Sequence, residues 1–350
     1  MKKIILTGGG TAGHVTPNVA LLPTLRERGF SISYVGTRTG IEFNLISREN
    51  IPFFPISAGK LRRYFDLKNI SDLFRIAIGF LQAIVIIIRL QPNIVFSKGG
   101  FVSCPVVWAA WLLRVPVVIH ESDITPGLAN RLSLPFAKKI CYSFPETARH
   151  VAKNKGMYTG LPVRTTLLGG NKDEGIKICG FTNEKPVIMI MGGSQGSVVV
   201  NGAVREALPE LQNDFNLCHI CGKGNLTADA QNAYKQFEYV TDELPHLFAA
   251  TDLFIGRSGA TTLFELLALK KASLLIPLAT GASRGDQILN ARSFKKQGFS
   301  EMLLQENLNA STLVEYCKKT YEKRLDMIHA IELSNVPNGV SSVVEVLESI

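Results

Sequence analysis

The stretch Leu6–Pro17, LTGGGTAGHVTP, comes directly after an apolar run at the start of the chain. It contains Gly8, Gly10 and Gly13 in the spacing G-x-G-x-x-G. Such a loop, placed between a buried strand and a helix, offers backbone N–H groups and a positive helix end to an anionic ligand. The stretch therefore predicts a strand, loop and helix of an α/β domain, and it raises the question of whether the ligand is a dinucleotide.

A dinucleotide site needs a further residue, an acid about 20 positions on that binds the ribose hydroxyls at the end of the second strand. Here that strand ends in YVGTRTG, with Gly36, Thr37 and Arg38 in the relevant positions. An arginine could in principle serve a 2′-phosphate. A nicotinamide dehydrogenase is nevertheless the least favoured interpretation.

The rest of the chain repeats the same alternation of strand-like and helical patterns. KIILTG and SISYVG are followed by helical runs, and the scheme restarts at PVIMIMGGSQGS. Alternation of this kind predicts parallel strands with crossover helices. Because 350 residues exceed one ordinary core, we expect two doubly wound α/β domains, with a boundary near residues 158–175.

Composition narrows the functional classes less than the motifs do. The net charge is +9, and residues 1–162 carry 20 Lys and Arg against 8 Asp and Glu. A basic half of this kind suits nucleic acid, an anionic membrane or an anionic substrate. The six cysteines are scattered among apolar neighbours, which favours buried thiols over a redox or metal role for the Cys218–Cys221 pair.

The most hydrophobic segment, Arg75–Leu90, has an apolar core from Ile76 to Ile88. This core is shorter than the about 20 residues that a spanning helix needs. The opening MKKIILTGGG reads as a short strand rather than a signal peptide. We therefore expect no membrane span.

A second glycine loop, GGSQGS at residues 192–197, follows the first strand of the second half. Its N–H groups and helix end predict an anion site, to which Ser194 can add a hydroxyl donor. The loop lacks the Gly-Lys-Ser/Thr ending of a P-loop, which disfavours ATP hydrolysis.

Several polar residues stand where ligands bind in open α/β sheets. His14 follows the first glycine loop and titrates near neutrality, so it can take or give a proton. Glu265 lies in an apolar helix, where it could interact with the helix dipole or bind vicinal hydroxyls. Gln287 and Asn290 share a helix face, and their amides suit sugar hydroxyls. Each of them alone could equally be an ordinary helix residue.

The ordered set of motifs is more specific than any single member. The chain resembles the MurG family of peptidoglycan N-acetylglucosaminyltransferases from about Lys3 to Gly298, through GGGTAGH, SKGGFVSCP, HESDITPGLANR, TGLPVR, GGSQGS, RSGATTLFE and GDQILNA.

The resemblance implies the GT-B architecture, two Rossmann-like domains facing across a cleft. It implies an acceptor- and membrane-facing domain at residues 1–162, a UDP-sugar domain at 163–337, and a last helix at 338–350 that returns to the first domain. It also implies inverting transfer of N-acetylglucosamine from UDP-N-acetylglucosamine to the C4 hydroxyl of N-acetylmuramic acid in lipid I. The product, lipid II, serves cell-wall synthesis and hence cell shape and division.

On the donor side, the resemblance assigns the uridine ribose to Glu265 and uracil to the backbone around Leu244. It assigns the diphosphate to the two turns near Ser194 and Ser258, together with Arg164. The sugar is assigned to Gln287, Asn290 and the neighbouring Ala-Ser-Arg-Gly-Asp segment at residues 282–286. The full donor set is Arg164, Ser194, Gln195, Gly196, Leu244, Arg257, Ser258, Gly259, Ala260, Thr261, Glu265, Asp286, Gln287 and Asn290.

On the acceptor side, the family's motifs match Gly9, Thr11, Ala12, Gly13, His14, Gly99, Gly100 and Ser103. His14 is the candidate general base, with Glu121 and Asp123 as rivals. Asp123 and Asp286 depart from the family's usual asparagine and histidine near the expected sugar pocket. Helix ends and Ser194 could stabilise the departing UDP, so we expect no obligatory metal or other cofactor.

The lipid acceptor that the resemblance implies would explain the excess of positive charge in residues 1–162. The segment LRRYFDLKNISDLFRIAIGFLQAIVIII, with Arg62, Arg63, Lys68 and Arg75, is expected to lie on anionic lipid at the cytoplasmic face of the cell membrane. Trp108 and Trp111 either join that surface or fill the core. No nucleic-acid partner is expected.

Three alternatives stay open at this point. Another GT-B enzyme would transfer a sugar to diacylglycerol, a UDP-sugar epimerase would release free sugar, and a non-catalytic nucleotide-binding or scaffolding protein would transfer nothing.

Overall fold

The computed structural model describes residues 1–59, 68–182, 184–193, 195–228, 233–280 and 284–350, with the side chains of residues 68–70 excepted. The chain divides into two compact units. Unit 1 contains residues 1–164 and 336–350, and unit 2 contains residues 165–335.

Unit 1 is built on a seven-stranded parallel sheet in the order β3-β2-β1-β4-β5-β6-β7. Its strands are β1 Lys3–Thr7, β2 Ser31–Gly36, β3 Phe53–Pro55, β4 Ile94–Ser97, β5 Val117–Glu121, β6 Lys139–Tyr142 and β7 Gly156–Tyr158. Its helices are α1 Ala12–Glu27, α2 Ile41–Ile46, α3 Lys68–Leu90, α4 Ser103–Leu112, α5 Leu128–Ser133 and, at the end of the chain, α13 Gly339–Glu348. Short 3₁₀ turns lie at Leu134–Phe136 and Pro145–His150.

Unit 2 repeats the scheme with a six-stranded parallel sheet in the order β10-β9-β8-β11-β12-β13. Its strands are β8 Val187–Met191, β9 Asn216–Ile220, β10 Tyr234–Phe237, β11 Leu253–Gly256, β12 Ser273–Leu275 and β13 Ser300–Met302. Its helices are α6 Lys172–Cys179, α7 Val198–Asp214, α8 Leu244–Ala250, α9 Ala260–Ala268, α10 Asp286–Lys296, α11 Ala310–Glu322 and α12 Arg324–Glu332. Further 3₁₀ turns lie at Thr165–Gly169 and Gln305–Asn307. The two parallel sheets confirm the predicted doubly wound α/β architecture.

Apolar strands covered on both faces form the cores, as parallel sheets require. In unit 1 the side chains of α1 and α13 pack on one face of the sheet, and those of α3 and α4 pack on the other. Helix α13 contributes Val343 and Leu347 to this core, and Lys2 Nζ donates to Leu347 O at 3.2 Å. The last residues of the chain therefore complete the domain that the first residues begin.

Helix α3 is longer than its apolar stretch suggests. The segment Ser71–Leu90 is long and apolar enough to cross a membrane by length and composition, and only 17% of its most apolar window is buried. Length alone therefore does not exclude a span. Ala83 and Ile87 nevertheless pack in the core of unit 1, and Ile76 is buried, as in the core helix of a globular domain.

Candidate active site

In each sheet the strand order reverses beside the first strand of the unit, which is where open α/β sheets bind ligands. In unit 1 the reversal lies between β1 and β4, and in unit 2 it lies between β8 and β11. Both glycine loops follow the carboxyl end of a strand at these points.

In unit 1, the glycine loop that follows β1 lies close to the loop that follows β4. The close approach is possible because both loops have glycine at the contact. Gly9 N donates to Gly99 O at 3.3 Å, and a Cβ on Gly100 would lie 2.1 Å from Gly9 O. Gly99 and Gly100 also have positive φ values of 96° and 83°. The contact therefore requires glycine.

His14 lies in the first turn of α1, and its ring is oriented by this loop. Nδ1 is 3.2 Å from Gly9 O and 3.0 Å from Thr11 Oγ1. A carbonyl oxygen can only accept, so the contact with Gly9 O is a hydrogen bond in the tautomer that carries the proton on Nδ1 and the basic lone pair on Nε2. That is the tautomer that a general base at Nε2 requires.

A carboxylate that the sequence analysis missed lies beneath the same loop. Glu42, in the first turn of α2, is 0% exposed. Its Oε1 accepts from Thr37 N at 3.0 Å and from Thr37 Oγ1, and its Oε2 accepts from Gly10 N at 3.2 Å. The available signal was an acid six residues after the end of β2, close to where a dinucleotide-binding domain has its ribose acid.

Glu121, the last residue of β5, is buried, and both of its carboxylate oxygens are engaged. Oε1 accepts from Asp123 N at 3.0 Å, and Oε2 accepts from Gly127 N at 3.1 Å and Asn130 Nδ2 at 2.8 Å. Burial raises the pKa of the Glu121 carboxyl, and the neighbouring Asp123 adds to the effect. These bonds favour a role in shaping the β5–α5 loop, whereas the side chain of Asp123 is half-buried.

A second unforeseen charge, Lys98, follows β4 and is buried beside this loop. Its ammonium donates to Ser122 Oγ. Burial lowers the pKa of Lys98 to about 8, although Glu121 and Asp123 act in the opposite direction. Lys98 therefore supplies positive charge to the acidic end of β5.

The other acceptor-side candidates divide between the loop surface and the interior. Ser103 is fully buried at the start of α4 and donates to Gly100 O at 2.9 Å, so it shapes the loop. Thr11 is exposed, and Ala12 and Gly13 are half-buried in the first turn of α1.

The glycine loop of unit 2 has a similarly close contact. Gly196 has a φ of 77°, and a Cβ there would lie 1.9 Å from Cys221 O. Gln195 is exposed, and the predicted donor Ser194 lies outside the described residues. Ser197 caps α7, accepting from Val200 N at 3.4 Å.

Arg257, directly after β11, extends toward this cap. One guanidinium nitrogen donates to Ser197 Oγ at 2.7 Å, and the other donates to Ile276 O at 3.0 Å and Pro277 O at 3.2 Å. Arg257 is only 7% exposed, its Nε is buried without a hydrogen-bond partner, and burial lowers its pKa. Within the described residues, the hydrogen-bond partners of Arg257 are one hydroxyl and two backbone carbonyls, and none is a carboxylate. A buried cation at a helix N-terminus is unfavourable unless an anion accompanies it.

Three further donor-side candidates hold the β11–α9 turn to α10. Ser258 Oγ donates to Gln287 O at 2.8 Å, and Asn290 Nδ2 donates to Ser258 O at 3.4 Å. Gln287 Oε1 accepts from Leu278 N at 3.1 Å. Asn290 is fully buried, so its amide fixes this turn, whereas Gln287 is half-buried.

The remaining donor-side candidates are spread around unit 2. Glu265 is buried and is the sixth residue of α9. It therefore lies beyond the first turn, where a carboxylate would interact favourably with the helix dipole, and that alternative is wrong. Leu244 begins α8, and its N–H donates to Thr241 O at 3.2 Å. Asp286 begins α10 and pairs with Arg284 at 2.6 Å.

Four candidates remain to be placed. Gly259 is the N-cap of α9, and Ala260 and Thr261 are its first two residues. Arg164 is the last residue of the first segment of unit 1.

The described residues contain no group of three or more His, Cys, Asp or Glu side chains arranged to hold a metal ion. All six cysteines are free and buried.

Comparison with known proteins assigns both halves of the chain to one family. Residues 4–142 match the glycosyltransferase family 28 N-terminal domain, and residues 187–342 match the glycosyltransferase family 28 C-terminal domain. The first match covers β1 to β6 of unit 1, the second covers all six strands of unit 2, and each includes the glycine loop of its unit.

Two relatives carry the name UDP-N-acetylglucosamine--N-acetylmuramyl-(pentapeptide) pyrophosphoryl-undecaprenol N-acetylglucosamine transferase. The one from Clostridium botulinum (strain 657 / Type Ba4) is 53% identical over 99% of both chains. The one from Clostridium tetani is 51% identical over 99% of this chain and 98% of its own.

The comparison with solved structures indicates the same family. The crystal structure of Acinetobacter baumannii MurG is 25% identical, with a TM-score of 0.79 over the whole of both chains. A UDP-GlcNAc 2-epimerase from Neisseria meningitidis, bound to UDP-GlcNAc, has a TM-score of 0.69 at 14% identity, a likeness that concerns the fold alone. The chain therefore belongs to glycosyltransferase family 28 and, within it, to the MurG family.

Proposed function

We propose that this protein transfers N-acetylglucosamine from UDP-N-acetylglucosamine to the C4 hydroxyl of N-acetylmuramic acid in lipid I, with inversion, and so forms lipid II for peptidoglycan synthesis. The observation that carries the proposal is more than 50% identity, over nearly the whole chain, to relatives named for this transfer. The alternatives, transfer to diacylglycerol and epimerisation, have no relative of comparable identity among these proteins.

Unit 2 is the donor domain in this proposal. Arg257 brings a buried positive charge to the N-terminus of α7, and the UDP diphosphate would supply the missing anion. As UDP departs, charge builds up on the β-phosphate, where a preorganised cation and helix end stabilise it. Glu265, with its acceptor oxygens, is assigned the ribose hydroxyls by the family motif.

Unit 1 is the acceptor domain and supplies the base. With Nδ1 committed to Gly9 O, Nε2 of His14 is the atom that takes the C4 hydroxyl proton. Asp123 stays the rival, since the carboxylate oxygens of Glu121 are already occupied by three donors.

The test is a transfer assay with radiolabelled UDP-N-acetylglucosamine and a lipid I analogue, with diacylglycerol and no-acceptor reactions alongside. We expect label in the lipid I product, and its loss in His14→Ala and Glu265→Ala. Label only in diacylglycerol, or only in free sugar, would keep the fold and overturn the function.

A lipid acceptor requires the enzyme to work at a membrane surface, which we place at the cytoplasmic face of the cell membrane. Helix α3 supports this, because five apolar side chains fall on one stripe at helical spacing and are all about half or more exposed: Phe74, Ile78, Leu81, Val85 and Ile88. Such a face suits burial at the headgroup boundary.

Basic residues line a groove that includes a residue of the neighbouring helix α4. Trp111 is half-exposed on α4, which packs beside α3, and it lines an open groove of about 590 Å³ with Arg114, Lys138 and Lys155. Each basic residue near an anionic surface contributes about 1 kcal/mol. Arg62 and Arg63 lie outside the described residues, as does the side chain of Lys68. We therefore propose anionic lipid as a partner.

Liposome sedimentation tests this surface. Binding to phosphatidylglycerol vesicles at low salt should weaken in Leu81→Ser, whereas Leu325→Ser, a matched change of a leucine that is 65% exposed on unit 2, should leave it unchanged. Leu81 itself is 62% exposed. Equal binding by both variants, or no binding by the parent chain, would contradict the proposal.

A further inference from the structure

We propose that Glu42 is a positioning residue that acts on His14 through the peptide group joining Gly9 and Gly10. This inference rests on the proposed function, in which His14 is the base, and adds a partner for that base. The carboxylate and the imidazole do not touch in the contacts described above. They bind opposite ends of one peptide group.

The geometry consists of two hydrogen bonds on one planar unit. The N–H of Gly10 donates to Glu42 Oε2 at 3.2 Å, and the C=O of Gly9 accepts from His14 Nδ1 at 3.2 Å. Resonance couples the two ends of a peptide group, so a carboxylate that accepts from its N–H increases the negative charge on its oxygen. Glu42 thereby strengthens the acceptor that holds His14 and stabilises the imidazolium that forms when Nε2 takes a proton.

The protein is built closely around this carboxylate. A Cβ at Gly9 would lie 2.6 Å from Glu42 Cδ, one at Gly40 would lie 2.4 Å from it, and one at Gly36 would lie 2.9 Å from Glu42 Cγ. Glu42 is fully buried, and its recorded donors are two backbone N–H groups and the Thr37 hydroxyl, all of them neutral. Among the residues that the structure describes, the carboxylate is therefore held by loop donors and forms no ion pair with a cation.

Other charges at this sheet edge set the background for His14. They are Lys98 at the end of β4, and Glu121 and Asp123 at the end of β5. None of the three takes part in the two hydrogen bonds that link Glu42 to His14 through the Gly9–Gly10 peptide group, which we call the relay. Replacing Glu42 by glutamine leaves these groups in place, removes the relayed charge and exchanges one of the two acceptor oxygens for an NH2 donor.

The experiment measures His14 directly by ¹⁵N NMR in the whole protein without substrate. In Glu42→Gln we expect the pH at which His14 takes up its second proton to fall, with its protonation constant lowered about threefold, as for one charge removed at intermediate range. Because a neutral base is required, the acid limb of the pH–kcat profile should move to lower pH. A weaker base should also lower kcat at the plateau, by up to about threefold, with KM for UDP-N-acetylglucosamine unchanged.

The matched control is Glu27→Gln, an exposed carboxylate at the far end of α1, about 20 Å along the helix from His14. It should leave both the titration and the profile unchanged. A purely structural role of Glu42 would reduce activity at every pH without moving the acid limb, and that result would overturn the proposal.

The parent chain supplies a second test that does not depend on whether Glu42→Gln folds. The relay requires neutral His14 to carry its proton on Nδ1, and it requires a through-hydrogen-bond coupling between Gly10 ¹⁵N and Glu42 ¹³Cδ. A proton on Nε2, or no coupling, would overturn the inference. Because neither measurement needs a substrate, failure of the transfer assay in the parent chain would count against the proposed function and leave the relay to be judged by NMR.

Discussion

The two glycine loops occupy the same position in two similar folds, yet their surroundings carry opposite charges. In unit 1 the loop after β1 lies on a buried carboxylate, Glu42, which accepts a loop N–H. In unit 2 the loop after β8 leads to a helix cap that receives a hydrogen bond from a buried guanidinium, Arg257. A loop whose N–H already binds a carboxylate is poorly suited to a further anion, whereas a loop beside a buried cation favours one.

The comparison shows that a glycine loop alone does not define its ligand. The charge brought by a neighbouring element does so, and it comes from α2 in unit 1 and from the turn after β11 in unit 2. In the proposed function, the loop of unit 1 serves a proton transfer at His14, and the loop of unit 2 serves a diphosphate. Four predictions test this division, from the largest expected effect to the smallest.

Removing the imidazole of His14 should impair catalysis at the loop of unit 1 without affecting UDP binding at the loop of unit 2. In His14→Ala we expect kcat to fall about 100-fold to 10,000-fold, the range for loss of a general base. UDP binding, measured by calorimetry, should stay at the parent value because unit 2 is untouched. A large loss of UDP affinity in this variant would contradict the separation of roles.

Removing the guanidinium should have the complementary effect. In Arg257→Met we expect UDP affinity to fall by about 2 kcal/mol, roughly 30-fold, which is typical for hydrogen bonds to a charged group. Uridine, which lacks the diphosphate, should bind the variant as it binds the parent. An equal loss for both ligands would instead indicate general damage to unit 2.

A second histidine sharpens the comparison, because the proposed function needs His14 to take a proton, whereas His219 stays neutral near pH 7. Buried His219 on β9 lies between Tyr234 Oη at 2.9 Å and Asn201 Oδ1 at 3.0 Å, and burial, with Arg205 nearby, lowers its pKa to about 3. Between that pH and about 6.5 the unfolded chain binds a proton that the folded chain does not, so stability is lost as pH falls through this window.

The measurement is urea unfolding of unit 2 followed at pH 7 and pH 5. We expect the parent chain to lose about 2 kcal/mol between them from His219 alone. His219→Gln, whose side-chain N–H can still donate to Asn201 Oδ1, should be less sensitive to pH by about that amount. The same pH sensitivity in both chains would exclude His219 as the cause.

The smallest effect concerns the helix caps that follow the two loops. Ser197 caps α7 with its hydroxyl, whereas the Thr11 hydroxyl makes no cap bond and lies beside His14 Nδ1. Ser197→Ala should therefore lower the free energy of unfolding by about 1 kcal/mol. Thr11→Ala should lower it by less and should alter the titration of His14. Equal destabilisation by the two changes, measured by urea unfolding, would contradict the difference between the loops.

The sequence predicted the elements that local pattern determines. Apolar runs ending in glycine define β1 and β8, and alternation with helices was sufficient for two parallel sheets. The motifs also placed His14 and the Ser258 turn at the ends of strands, because the carboxyl ends of parallel strands meet at one edge of a sheet.

The sequence could not show which polar side chains in the motifs are buried and hydrogen-bonded within the protein. Ser103 and Asn290 stand in ligand-binding motifs, yet both are fully buried and hydrogen-bonded to loop backbone. Glu42 was missed for the opposite reason, because it follows its strand by six residues and reaches the glycine loop only after α2 has packed. Such contacts depend on tertiary structure and leave no periodic signal.

The placement of α13 has a consequence for synthesis on the ribosome. Unit 2 is continuous from residue 165 to 335, but unit 1 needs Val343 and Leu347 to fill its core. At about 5 to 20 residues per second, those residues emerge roughly 10 to 40 s after the first segment of unit 1 is complete. Unit 2 can thus fold first, and unit 1, which begins the chain, is finished last.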